Sequence, residues 1–412
     1  IKTGSYFSVK SSSILVVRWR RLIFLISVLL SFSMVLFLLV RYFMPIPVVN
    51  GPLPWAQQFR MAGFMKQPGF TDLNAPVPQS IPLTGPTGTW RFVPLPYTGV
   101  TRSGITPDGP KNQAVTTWYQ FEVTPAHSVE KNTTELYFYL PRWKTEGRLA
   151  LYQGGHLLWH SHGDIIWNSF NRPVFIKLNS AEVSSLFLRM DTMAGRGGGI
   201  TQAWVGQYNA VFWRYRARFA LQCIVPSIFA IILLSMAIVL FFVALSRPSN
   251  SLNLLFVFAS ILYTIRILHF VGPLDPAVLS ASWFGWATIN SMCWLIVVGW
   301  LFCCGLAEVD FRWLRRLLIS GVALCTIVTA PFFHSPIDIA SLALWAYIFC
   351  FVLSIPTMLL LLITIWKRRS ISGVLLLFWN VLMFPVAIHA MLFVDYLVSI
   401  DHLYLLPYVV PG

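Results

Sequence analysis

From about residue 219 onward the chain is a succession of apolar runs with little between them: about 219–245, 252–271, 283–306, 314–333, 339–365 and 372–397, then a seventh opening near 402. At 1.5 Å per helical residue, each of the first six is long enough to cross a hydrocarbon layer roughly 30 Å thick. Backbone in that layer must satisfy its own N–H and C=O groups, so a spanning run of this kind is a helix. A further isolated run, "LIFLISVLLSFSMVLFLLV" at 22–40, has the same character. The expectation is a polytopic membrane protein, and composition agrees. Only 11% of residues are charged and 56% are hydrophobic, whereas a soluble domain carries about 25% charge.

Charge flanking the runs gives their direction. Arg18, Arg20 and Arg21 precede the first apolar run; Arg247, then Arg312, Arg315 and Arg316, then Lys367, Arg368 and Arg369 occupy alternate loops further on. The intervening loops, "GPLDPAVLSA", "FFHSPID" and "VSIDH", contain no Lys or Arg. The positive-inside rule then places the N-terminus in the cytoplasm and residues 42–218 outside. Arg214, Arg216 and Arg218 break the pattern, but they follow a sizeable translocated segment, and such segments cross largely regardless of charge. No small-x-small cleavage site follows residues 22–40, so they read as an uncleaved anchor and not a signal peptide. The chain opens on Ile1 and closes in "LYLLPYVVPG"; it is expected to be a piece of a longer protein with its seventh helix incomplete. The formal charge of +15 does not point to nucleic acid, because most of the clustered Lys and Arg flank apolar runs.

Residues 42–218 lack any stretch of spanning length. Residues 45–117 are rich in Pro and Gly and low in periodicity, and within them "PVPQSIPLTGPTGTWRFVPLP" could form strands only at sheet edges or broken by loops. From Trp118 the pattern tightens into "TWYQFEV", "ELYFYLPR", "RLALYQ", "HLLWHS", "RPVFIKL" and "SSLFLRMD", short aromatic and β-branched runs separated by turn signals. Such runs predict a β-sandwich. Gly154-Gly155, between two of them, predicts a hairpin with a primed turn, since both turn positions need positive φ. All six cysteines, Cys223, Cys293, Cys303, Cys304, Cys325 and Cys350, lie in apolar runs. No disulfide framework or CxxC metal motif is expected.

The order "WYQFEV", "LYFYLPR", "LALYQGGHLLWHS", "NRPVFIKL", "SLFLRMD" resembles the strand order of galactose-binding-like jelly rolls. Joined through "AWVGQYNAVFWRYRARF" to seven spans, the chain resembles the bacterial seven-transmembrane receptors with diverse intracellular signalling modules. The resemblance covers nearly the whole chain but rests on architecture and diffuse strand motifs. It implies an α+β membrane protein: cytoplasmic residues 1–21, a transmembrane anchor at 22–41, an extracytoplasmic jelly-roll sensor at 42–218, and a seven-helix bundle at 219–412. It also implies a bacterial inner-membrane location, a homodimer, and a histidine kinase or diguanylate cyclase output domain beyond Gly412.

Aromatic faces beside amides and Arg are the parts that hold a sugar or an organic anion. The ligand-binding candidates are therefore Trp143, Trp159, His160, His162, Trp167, Asn171 and Arg172, against the alternative of ordinary surface and loop roles. His160, His162 and Asp164 alternate as strand ligands would, but the set is not specific for a metal. "AGRGGGI" at 194–200 lacks the Lys-Ser/Thr ending of a phosphate loop and reads as a flexible connection. Within the spans, Arg266 and His269 share one helix face, with His389 and Asp395 on the sixth run. An Arg266–Asp395 pair would tie two helices into a bistable element, and snorkelling to the interface is its rival. His334, Asp338, Asp401 and His402 crowd the outer loops, where histidine could confer pH sensitivity.

The sequence carries no paired catalytic carboxylates, nucleophile elbow or metalloprotease motif, so neither catalysis nor a cofactor is expected. The function expected is reception of a small ligand, a carbohydrate or an organic anion, or of a periplasmic protein. The alternative is a polytopic transporter or accessory protein, favoured by Pro226, Pro356 and Pro385 in the spans and opposed by the lack of an internal repeat.

Overall fold

The computed structural model describes residues 53, 55–70, 72–74, 90–98, 114–124, 135–144, 147–161, 171–179, 185–193, 198–246, 251–271, 280–332, 371–394 and 399–409, with isolated positions between 345 and 363. The anchor expected at 22–41 lies outside the described residues. Among the described residues twelve strands come first: β1 Ala56–Phe59, β2 Met61–Pro68, β3 Arg91–Pro94, β4 Ala114–Glu122, β5 Leu136–Leu140, β6 Trp143–Lys144, β7 Leu149–Gln153, β8 His156–His160, β9 Val174–Lys177, β10 Ser185–Met193, β11 Gly199–Ile200 and β12 Ala203–Gln207. Helices follow: α1 Tyr208–Phe219, a π-turn Ala220–Ile224, α2 Val225–Ser246, α3 Ser251–Val271, α4 Ala281–Ala307, α5 Arg312–Val328, α6 Ile371–Val394 and α7 Leu406–Val409.

The strands form a four-stranded sheet, β1-β12-β5-β9, and a six-stranded sheet, β3-β2-β4-β10-β7-β8, with β6 and β11 paired separately. Every pairing is antiparallel. Alternation puts one face of each sheet inward. Tyr119 and Phe121 of β4, Leu149 and Leu151 of β7, and Leu186, Leu188 and Met190 of β10 meet Phe138 and Leu140 of β5 and Val205 of β12 in one core. The β-sandwich is thus present, and the six aromatic and β-branched runs from Trp118 onward all contribute strands to it. Gly154 and Gly155 join β7 to β8 with φ of 57° and 83°, as the primed turn requires.

Two parts differ from expectation. β2 is an interior strand of the larger sheet, although it lies in the stretch read as low in periodicity, with Ala62 and Phe64 pointing into the core; β3, in the Pro-rich run, is at the sheet edge as expected. "AWVGQ", read as a joint, is β12, between β1 and β5. Gly206 in that strand is there for space. A Cβ on it would stand 2.6 Å from the Ala56 Cβ and 3.1 Å from the Trp55 carbonyl oxygen. Gly206→Val should therefore push β1 off β12 and cost about 1–3 kcal/mol by overpacking. Faster amide exchange in β1 with β10 unchanged is the expected readout; equal protection in both strands would disprove it.

Among the described residues three helices are long and apolar enough to cross a membrane: Tyr208–Ser246, Ser251–Leu268 and Ser282–Leu306. They cover the first three apolar runs after residue 218. Their outward faces carry bare aliphatic and aromatic side chains, among them Ile231, Ile238, Phe242 and Leu245, as lipid-facing helices should. Ala230 of α2, Tyr263 and Ile267 of α3, and Val386, Ala390 and Phe393 of α6 pack together with Tyr404. A second cluster joins Val297 and Trp300 of α4 to Leu318 and Val322 of α5.

Candidate functional site: a buried arginine seam between sandwich and helices

β12 runs into α1 without a linker, since Gln207 is both the last strand residue and the N-cap of the helix. α1 then lies on the outer face of the four-stranded sheet. Phe175 of β9 stacks on Tyr137 of β5 at 4.9 Å and on Tyr215 of α1 at 4.8 Å between ring centroids. The Arg214 guanidinium sits 5.6 Å from the Trp204 ring centroid. Four-residue spacing puts Arg214, Arg218 and Gln222 on one face of the rod, and all three are buried. The π-turn at Ala220–Ile224 widens the helix where Gln222 and Cys223 turn inward; such turns recur at functional positions. Two of the three arginines that broke the charge pattern are therefore enclosed by protein, and Arg216 alone is exposed.

Opposite this face stands Arg142, 0% exposed, in the link between β5 and β6. Thr201 clamps its backbone: the Arg142 N–H donates to Thr201 Oγ1 (3.2 Å), and that hydroxyl donates to the Arg142 carbonyl (2.9 Å). Arg142 Nη1 donates to the His402 carbonyl at 2.6 Å and Nη2 to Asn171 Oδ1 at 2.7 Å. Its guanidinium lies 5.0 Å from the centroid of the Phe393 ring at the end of α6. Asn171 Nδ2 donates to the Gln222 carbonyl at 2.6 Å, and Arg218 Nη2 to the Asp401 carbonyl at 2.6 Å. With its amide oriented so that both ends find partners, Gln222 accepts from Arg218 Nε (2.6 Å) and Arg142 Nη2 (3.2 Å) and donates to the Asn171 carbonyl (2.6 Å). Lys144 Nζ donates to the Phe393 carbonyl at 3.3 Å, a cation at a helix C-terminus. Tyr408 of α7 donates to the Leu221 carbonyl in the π-turn.

Sandwich, rod, α6 and the 399–409 segment thus converge on two enclosed guanidiniums. Burial, then the charge of Arg218, pulls Arg142 down to about 9, still cationic at neutral pH. Burial raises the Asp401 carboxyl above its usual range against the opposing pull of Arg218 and Arg142. Burial, helped by the same arginines, lowers His402. The signs oppose on acidification. Protonation of Asp401 relieves its burial cost as pH falls through its raised pKa, whereas below pH 6.5 the folded seam resists the proton that His402 would take up unfolded.

The residues singled out in the sequence fall in several places. Trp143 is 1% exposed in the core between the sheets. Trp159, opposite Leu151, packs against that core from β8. His160 is half-buried, with Nδ1 3.1 Å from the Ser161 carbonyl. Asn171 belongs to the seam, and Arg172 is exposed, with its guanidinium 5.5 Å from the Phe219 ring centroid. His162 and Trp167 lie outside the described residues. Arg266 is buried on α3, and His389 is half-buried on α6, 6.2 Å from the Phe393 ring. Asp395 and the side chain of His269 lie outside the described residues. Asp401 and His402, read as outer-loop residues, are half-buried in the seam. Sequence reasoning missed Arg142, Arg218 and Gln222. The i, i+4 spacing of Arg214, Arg218 and Gln222 was a readable signal; nothing local marks Arg142.

Among the described residues no group of three or more His, Cys, Asp or Glu side chains is placed to hold a metal ion. Comparison with protein-family models finds no match, and comparison with curated proteins finds none.

Proposed function

We propose that this chain is the receiving and transmitting part of a membrane receptor: the β-sandwich senses an extracytoplasmic ligand or partner and the helices carry the change across the bilayer. The observation that carries this reading is the linker-free passage from β12 into a 39-residue helical rod, Tyr208–Ser246. At 1.5 Å per residue the rod is roughly 58 Å long, about twice the hydrocarbon thickness. A displacement of the four-stranded sheet is thereby delivered to the far end of a spanning helix. The seam adds a second grip, since Arg142 and Lys144 hold α6 and residue 402 from the sandwich side. That contact also supports an extracytoplasmic position for the 399–402 loop and hence the seven-span topology read from charge. The bundle has two states, the ligand favours one, and an output domain of the histidine kinase or diguanylate cyclase type reads the difference.

The test uses this chain alone in proteoliposomes, with a panel of labelled sugars and organic anions and a spin label at the inner end of the rod (Ser246→Cys). Panel members that bind the sandwich are expected to change the label's mobility without being accumulated. Binding that leaves the label unchanged, or solute accumulation under an ion gradient, would favour the transporter reading and overturn this one.

A further inference from the structure

The seam carries more positive charge than the protein around it answers. Arg142 and Arg218 are 0% and 1% exposed, yet among the described residues neither has a carboxylate within ion-pairing distance. Their hydrogen bonds go to the neutral oxygens of His402, Asn171, Gln222 and Asp401. The Asp401 carboxyl acts on both guanidiniums only from beyond ion-pairing distance. Among the described residues its Oδ1 is buried without a hydrogen-bond partner. Enclosed, uncompensated cations cost several kcal/mol each, and structures retain them where an anion or a functional gain offsets the cost.

Two fully buried donors nearby are also unused. Among the described residues Tyr139 Oη and Trp204 Nε1 have no hydrogen-bond partner, and both side chains are at most 1% exposed. They sit on neighbouring strands with ring centroids 5.6 Å apart, beneath α1, whose Tyr215 ring lies 6.4 Å from that of Tyr139 and whose Arg214 guanidinium lies 5.6 Å from that of Trp204. Buried polar groups are almost always satisfied, and an orphan calls for a bound species. Guanidinium forks with hydroxyl and indole N–H donors suit a tetrahedral oxyanion, which accepts several bonds at once.

We infer that the seam between sandwich and helices binds a phosphate-type oxyanion, held by Arg218 and Arg142 with Tyr139 as a further donor. The anion is either free phosphate or the headgroup of a phospholipid standing beside α1 and α6. The inference rests on the seam's geometry alone, and its failure would leave the receptor reading intact.

The test follows thermal melting of the full chain in phosphate-free maltoside micelles at constant ionic strength. Inorganic phosphate is titrated in one arm and phosphatidylglycerol in the other. A saturable rise in Tm of about 3 °C or more is expected in at least one arm. A rise with phosphate identifies the free anion, and a rise with the lipid alone identifies the headgroup. Arg218→Gln should flatten the curve. Tyr139→Phe, which removes only an unpartnered hydroxyl, should keep the ligand-free Tm and weaken the apparent affinity about fivefold. No saturable shift in either arm, or a shift that Tyr139→Phe leaves at full affinity, would overturn the assignment.

Discussion

Asp191→Ala should destabilise the sandwich by about 3–5 kcal/mol, the usual result of removing one member of a buried ion pair. Arg189 and Asp191 are each 1% exposed on the outer face of the six-stranded sheet. Arg189 Nε and Nη2 donate to the two carboxylate oxygens at 2.8 and 3.3 Å. Thr116 Oγ1 donates to Oδ1 at 3.1 Å, and Arg148 approaches Oδ2 at 3.5 Å across the open side. Without the carboxylate, the Arg189 guanidinium stays enclosed beside the Trp118 ring, 5.9 Å away, with the Asp191 charge gone. Arg189 Nη1 also donates to the Asp72 carbonyl, and Tyr152 Oη to the Leu73 carbonyl, so residues 72–74, which cover this face, should loosen with it. The joint change Arg189→Met with Asp191→Leu should recover most of the loss, because an apolar pair carries no desolvation cost. Urea unfolding of the full chain in micelles, followed by tryptophan fluorescence, measures both. A single variant within about 1 kcal/mol of the parent would contradict the argument.

What the sequence makes legible here is what depends on near neighbours. Gly154-Gly155 announces its turn because positive φ is a property of two residues, and the strands around it alternate every second position. The first three spans after residue 218 are legible for the same reason, since hydrophobic length is local. β12 is hidden because its glycine looks like punctuation; Gly206 is demanded by Ala56, about 150 positions away and invisible without the fold. Trp143 illustrates the opposite difficulty. An aromatic residue beside Arg and Lys has the composition of a ligand site, and burial depends on β11, which pairs with it from residue 200. The seam is the extreme case, because Arg142 and His402 are 260 positions apart. Charge patterning placed residue 402 on the outer side, but no local signal says that the sandwich comes down upon it.

Arg142→Met should separate the sandwich from the 399–409 segment while leaving the sandwich folded. The change removes the donors to His402 and Asn171, at 2.6 and 2.7 Å, and the cation beside Phe393. Methionine fills much of the volume but leaves the Asn171 oxygen and the His402 carbonyl unsatisfied in a buried place. Charged hydrogen bonds are worth about 1.5–3 kcal/mol each and the enclosed charge is lost with them, so a net cost of about 3 kcal/mol falls on the seam. The inter-sheet core does not include Arg142, and the cost should therefore be local. The His402 and Tyr408 amides, which donate to the Ser399 and Leu405 carbonyls, should exchange about 100-fold faster, since each 1.4 kcal/mol is a factor of ten. Amides of β4 and β10 should keep their protection. Equal loss in both places would make Arg142 a folding residue of the sandwich, and no change at residues 402 and 408 would mean that the seam holds by Arg218 and Tyr408 alone. On the proposed receptor reading, a local result predicts that the same variant binds ligand normally and fails to alter the output. A mechanical coupling through Arg142 predicts that split between binding and response; a role confined to the ligand site does not.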